Sequence, residues 1–210
     1  AYITTARKYS SVVKHTRLID YRIKASIASS CDVSVYFLTN DDLLYPTTVQ
    51  FILPIGSMFK TTNNVEFLST QDVVVPVGTT ILSVPCKQRT LVVGDNLGIT
   101  TSDPNQVIAL GKNYLHDTME LTIGGEVWLL QRTLGLSSPT DKHFIVDISA
   151  SQEAYIRFGD DINGAIPLSG LTIVGDYYTT QGSLGNVEAT NINSSVYNFV
   201  TLQGIPKIKV

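Results

Sequence analysis

Few residues in this chain are placed to do chemistry. The histidines, His15, His116 and His143, are widely separated, and no two have metal-ligand spacing. No glycine-rich phosphate loop ending in Lys-Ser/Thr occurs, and no nucleophile elbow; Gly56-Ser57 lies at a turn with no histidine near it in sequence. Two acidic pairs stand out. Asp41-Asp42 sits between strand-like runs and reads as a solvated turn. Asp160-Asp161 is sharper, because it follows Phe158-Gly159 and precedes Asn163-Gly164. Asp and Asn oxygens in a tight loop suit calcium. A glycosidase would need two carboxyls facing each other across a cleft ~5–10 Å wide, whereas neighbouring side chains on an extended strand point to opposite faces. Turn chemistry explains every residue type here: Asp and Asn bond the turn's own backbone, and Gly supplies a positive φ. That is the expectation for Asp160 and Asn163, with no metal, cofactor or small-molecule substrate and no enzymatic activity. Cys31 and Cys86 lie far apart in apolar segments and form no disulfide framework. They read as buried free thiols, with a single bridge as the other possibility.

The elements that would position these residues are mostly strands. The 210 residues carry 43% hydrophobic and 16% charged side chains, against a typical ~25% charged, which is a globular composition. That length suffices to bury roughly two-thirds of the unfolded surface as one β-rich domain or two small ones. A formal charge of −3 argues against a phosphate backbone as partner. No apolar run reaches the ~18–20 residues of a membrane span. Ala1 opens the chain like the middle of something longer.

Tyr2, Ala6, Tyr9 and Val13 recur at helical spacing with Arg7, Lys8 and Lys14 between them, which predicts an amphipathic N-terminal helix. From Cys31 the period becomes two. Val33, Val35 and Phe37 alternate with polar neighbours, as do Val49, Phe51 and Leu53. An Asn63-Asn64 turn predicts a hairpin between Phe59–Thr61 and Val65–Phe67, and Gly124-Gly125 another between Met119–Ile123 and Val127–Leu130. Gly94-Asp95-Asn96 and Ser102–Asn105 punctuate the middle, and a looser segment runs from Arg132 to Lys142. Strand patterns resume at Phe144–Ile148, Ala154–Phe158 and Leu171–Tyr178. Pro54, Pro76 and Pro85 relegate their strands to edges or strand ends, because proline cannot donate to a ladder. The expected fold is mainly β (α+β): an N-terminal helix followed by small antiparallel β domains of short strands and hairpins. The expected divisions are a helical segment and connector at 1–30, β domains at 31–115 and 116–190, and a tail at 191–210.

The most specific stretch runs from Ile156 through Phe158-Gly159-Asp160-Asp161-Ile162-Asn163-Gly164, Pro167, Gly170 and Tyr177 to Gly182, Gly185 and Asn186. It resembles the baseplate J-like family of contractile-tailed phages and related injection machines. That family carries Phe-Gly-Asp-Gly, then x-x-Gly-x-x-Pro-x-x-Gly, a strand ending in Tyr, and a closing Gly-x-x-Gly-Asn. An earlier block, Leu53-Pro54-Ile55-Gly56-Ser57-Met58-Phe59-Lys60-Thr61, resembles its Ile-Pro-x-Gly-Thr-x-Phe-x-Thr opening. Val65-Glu66-Phe67 and Asp72 through Gly78 follow in the family's order, and Trp128 with Ser138–Phe144 looks like its connection into the Phe-Gly-Asp strand.

The resemblance covers roughly Tyr21 to Val187 and lacks much of the family's longer N-terminal region. Asp161 stands where the family has glycine, and Asp reaches the left-handed region less readily. Phe158 and Tyr177 are expected to pack between layers. The resemblance implies a structural wedge subunit that dimerises, clamps a second wedge protein and joins a ring around the hub, which triggers sheath contraction. Its partners would be itself and other baseplate wedge, hub or sheath-proximal proteins, in a virion tail assembled in the host cytoplasm. The Tyr2–Val13 helix is the candidate partner interface. A receptor- or glycan-binding β module of a virion and a cell-wall hydrolase using Asp160 are the alternatives.

Overall fold

The computed structural model describes residues 26–39, 41–111, 113–149, 151–188, 190–195 and 207–209. The protein is mainly β, and among the described residues the only helix is a short 3-10 turn at Gly182–Gly185. The helix expected over Tyr2–Val13 lies outside the described residues.

The strands in chain order begin with β1 (Ser30–Leu38), β2 (Phe51–Leu53), β3 (Met58–Thr61), β4 (Glu66–Ser69), β5 (Val73–Val75) and β6 (Ile81–Gln88). Next come β7 (Thr90–Ile99), β8 (Val107–Gly111), β9 (Glu120–Ile123), β10 (Glu126–Leu130) and β11 (His143–Ile148). The last are β12 (Ala154–Arg157), β13 (Thr172–Thr179), β14 (Ile192–Ser195) and β15 (Lys207–Lys209). The chain divides into two compact units: the segment ending at Ile27 with Leu91–Thr180, and Ala28–Thr90 with Gln181–Val210. This division differs from the boundaries expected at 115/116 and 190/191. Composition marks loops, whereas the units are set by which distant strands pair, and each unit is built from two separate stretches of chain.

In the unit that contains β1, a six-stranded sheet runs β14-β3-β4-β6-β1-β15, with β2 and β5 forming a separate pair. The alternation read from Val33, Val35 and Phe37 buries all three, and Phe37 meets Phe51 edge-on with ring centroids 5.9 Å apart. The Asn63-Asn64 turn joins β3 to β4 with Asn64 at φ 60°, a conformation Asn tolerates well. Leu53 ends β2 and leads into a type II turn, in which the Ser57 N–H donates to Pro54 O at 3.2 Å and Gly56 takes φ 83°.

Pro85 corrects an expectation. It lies in β6, a central strand between β4 and β1. Its carbonyl accepts from the Thr70 N–H at 2.9 Å, so its nitrogen faces the β4 side where β4 has already ended at Ser69. The missing donor falls beyond the ladder and breaks no bond in it.

In the other unit a seven-stranded sheet runs β7-β13-β9-β10-β11-β12-β8. Gly124 and Gly125, at φ 58° and 86°, make the β9–β10 hairpin a type I′ turn, as Gly-Gly predicts. Two features depart from the sequence reading. Gly94-Asp95-Asn96 lies within β7 and does not interrupt it, because the Asp176 carboxylate accepts the Gly94 N–H at 2.6 Å and Gly94 bends the strand at φ 67°. β10 and β11 pair in parallel within an otherwise antiparallel set, since the Gln131–Lys142 segment carries the chain back before β11 begins. The core of this unit gathers Leu121, Ile123, Trp128, Phe144, Phe158 and Ile173, among others, on one face of the sheet.

Candidate functional site

β12 delivers Phe158 into that core, where it is fully buried and meets Trp128 edge-on at 5.4 Å and 76°. The chain must then turn sharply, and Gly159 is where it does so. A Cβ on Gly159 would stand 2.1 Å from the Gly164 carbonyl oxygen, so only glycine fits. Asp160 caps the turn: its Oδ1 accepts the Asn163 N–H at 2.8 Å and the Ile162 N–H at 3.1 Å. Those two donors hold its carboxyl below the usual carboxylate range. Asp161 takes φ 62°, a left-handed conformation that favours glycine, and donates its N–H to Gly164 O at 3.0 Å. Its own Oδ1 accepts the Ile166 N–H at 2.8 Å. The side chain thus returns a bond that glycine could not make.

Two flanking segments of the same unit fasten this loop. On one side, the Phe158 N–H donates to Gln106 O and the Asn105 N–H to Gly159 O. Thr100, almost fully buried, donates its hydroxyl to Leu168 O and accepts the Leu171 N–H at 2.9 Å. The Gly170 N–H donates to Thr100 O at 2.8 Å, and the Ser102 hydroxyl to Pro167 O at 3.2 Å. On the other side, the Ala165 N–H donates to Asp141 O at 2.8 Å, and Gly164, at φ 86°, lies against Leu134. Tyr177, on β13, packs in the core beside Tyr114 and donates its hydroxyl to Asp95 at 2.7 Å.

The structure therefore brings Phe158, Gly159, Asp160, Asn163, Gly164, Pro167, Gly170 and Tyr177 into one unit, and Gly185 and Asn186 into the other. In that second unit Gly185 abuts the buried Gln88, whose Oε1 accepts the Gln181 N–H at 2.8 Å. Asn186 accepts the Ser29 hydroxyl at 2.6 Å. Tyr2, Ala6, Tyr9 and Val13 lie outside the described residues.

The partners supplied by Thr100 and Asp141 carry no sequence signal, because each acts through a bond to a residue far along the chain. One further cluster was also hidden: Ser137 Oγ lies 2.9 Å from His143 Nδ1, with Asp141 Oδ2 at 3.8 Å from the same nitrogen. A relay needs serine and carboxylate on opposite ring nitrogens. Here both approach Nδ1, and Asp141 Oδ2 also accepts the Ser138 N–H at 2.7 Å. The cluster braces the loop that holds Ala165. Among the described residues, no group of three or more His, Cys, Asp or Glu side chains is placed to hold a metal ion. The geometry of the Phe158–Gly170 loop is that of a fastened corner.

Three expected outcomes follow from these contacts. Asp161→Gly removes the side-chain bond to the Ile166 N–H and relieves a left-handed non-glycine residue, two effects of about 1 kcal/mol with opposite sign. Its urea midpoint should therefore stay close to that of the parent. Asp160→Ala should lower the thermal midpoint at neutral pH, whereas Asp160→Asn, which keeps an acceptor, should lower it less. Because the folded carboxyl is depressed, its contribution is present above the ordinary Asp range and is lost as pH falls through the folded value. The deficit of Asp160→Ala should accordingly vanish in acid.

Tyr177 works in the opposite direction. Burial, and then the Asp95 carboxylate, push its phenol from 10.0 up to about 12. The folded state keeps a proton there that the unfolded chain releases, so this stabilisation is complete below the unfolded value and is lost as pH rises toward the folded one. Tyr177→Phe should flatten the alkaline decline in stability across that window, as read by denaturant titrations at successive pH values.

No family model matches the chain, and no curated protein matches it.

Proposed function

We propose that the protein is a structural wedge subunit of a contractile phage tail baseplate or a similar injection apparatus. One observation carries this reading: the ordered run from Phe158 to Asn186, preceded by the Leu53–Thr61 block, in which the distinctive residues are spent on corners. Gly159, Asp161, Gly164 and Thr100 bond backbone to backbone across the loop, and the Asp160 and Asp161 carboxylates accept further backbone N–H groups, which suits a part that must hold its shape under load. The partners under this reading are a second copy and neighbouring wedge, hub or sheath-proximal proteins. The two ends of the seven-stranded sheet, β7 and β8, offer edges that neighbouring strands can extend. Interfaces with two discrete packings would then convert ring closure into the trigger for contraction.

The test is assembly. Mass photometry of the full chain mixed with co-expressed neighbouring tail proteins should show a complex containing at least two copies of it. Tyr9→Asp with Val13→Asp should block that complex while leaving the β units folded by circular dichroism. A chain that stays monomeric with every tail protein offered would overturn the reading. Specific retention on a glycan array would favour the receptor-binding alternative, and clearing of peptidoglycan abolished by Asp160→Asn would favour the hydrolase.

A further inference from the structure

Cys31 on β1 and Cys86 on β6 are in-register partners in the six-stranded sheet. The neighbouring bonds define what kind of pair they are. The Gln88 N–H donates to Ser29 O at 2.8 Å, and in an antiparallel ladder such bonded pairs recur at every second residue. Cys31 and Cys86 are the next pair along, so they too exchange backbone bonds. A pair of this kind holds its Cα atoms about 5.5 Å apart, inside the roughly 4.4–6.8 Å span of a disulfide.

The side chains also face the right way. Alternation places Cys31 with Val33 and Val35, and Cys86 with Val84, on the buried face. Cys86 is buried, Cys31 is half-buried, and both are free thiols. Cβ atoms in a bonded pair stand up to about 5.5 Å apart, against roughly 3.5–4.5 Å across a relaxed bridge. Closing the bridge would draw the strands together by about 1 Å, and strained disulfides are the readily reduced ones.

We propose that Cys31 and Cys86 form a reversible oxidation site, a cross-strand dithiol whose co-substrate is a small disulfide of the glutathione class. Cys31, the more accessible thiol, loses its proton and attacks one sulfur of the small disulfide. That S–S bond breaks, and one small thiol leaves carrying the proton. Cys86 then deprotonates and attacks the Cys31 sulfur, which expels the second small thiol. Two protein thiols are oxidised and one small disulfide is reduced to two thiols. Burial pushes both protein thiols up, Cys86 to about 12, so the exchange is slow near neutrality and quickens with pH. In a reducing cytosol the pair stays open, and outside the cell it can close. The inference concerns β1 and β6 alone and does not depend on the assembly reading.

The experiment treats the full chain with glutathione disulfide at mildly alkaline pH and follows intact mass and free thiols. The expected product is lighter by two hydrogen atoms, has lost both thiols, carries no glutathione and reverts with dithiothreitol. Cys86→Ser should stop at one glutathione on Cys31. Cys31→Ser should react about tenfold more slowly or less, since its remaining thiol is buried. A stable glutathione adduct on the parent chain, a chain that stays fully reduced, or a disulfide-linked dimer would each overturn the proposal.

Discussion

Gly159→Ala is expected to remove about 3–5 kcal/mol of stability, a large share of the ~5–15 kcal/mol that holds a typical domain folded. The reason is a collision with main chain. The new methyl would sit 2.1 Å from Gly164 O and 2.2 Å from its carbonyl carbon. Neither atom can rotate away as a side-chain tip could. Moving Gly164 outward would pull on Ala165, whose N–H is fixed to Asp141 O, and on Asp161, whose N–H reaches the same Gly164 carbonyl. Gly170→Ala is the matched control. Its added methyl meets nothing within 4 Å, but φ is 82°, so only the left-handed penalty of about 1–2 kcal/mol applies. Urea denaturation of both variants should show Gly159→Ala as much the worse. Equal losses would mean that the close approach at Gly159 is relaxed in solution.

Phe158→Ala should cost about 3–5 kcal/mol through the cavity it leaves. The ring is fully buried and stands edge-on to Trp128 at 5.4 Å. Phe158→Leu keeps most of the volume and should cost less than about 1.5 kcal/mol. Trp128→Leu, combined with Phe158→Leu in a double-mutant cycle, should reveal a coupling of about 0.5–1.5 kcal/mol for the aromatic pair. Additive losses would show that the two rings act only as volume. Phe158 and Gly159 together explain why the loop is placed with such economy: one residue anchors it in the core and the next lets it turn.

Much of this was legible from local pattern. The alternation at Val33, Val35 and Phe37 and the Gly124-Gly125 turn need only neighbouring residues, and each yields the expected strand or hairpin. The Asp160 turn was legible for the same reason, since its acceptors and donors lie within three residues. What local pattern could not supply was pairing at a distance. Pro85 looked like an edge signal because its missing donor is local information, while the end of β4 that makes the loss harmless is not. Gly94-Asp95-Asn96 read as a break because the Asp176 carboxylate that accepts the Gly94 N–H arrives from β13, and Asp95 is met there by the Tyr177 hydroxyl. The parallel β10–β11 pair depends on where a loose segment returns the chain, and that segment has no periodicity to read. Thr100 and Asp141, which fasten the loop, were invisible for the same cause.

The most direct measurement is to purify intact contractile tails from cells that make this chain and to locate it by electron microscopy with a specific label. Expected is a label at the baseplate end, present in a fixed multiple per tail and lost with the disassembled ring. A chain recovered only as a soluble monomer, never in the tail fraction, would contradict the assembly role outright.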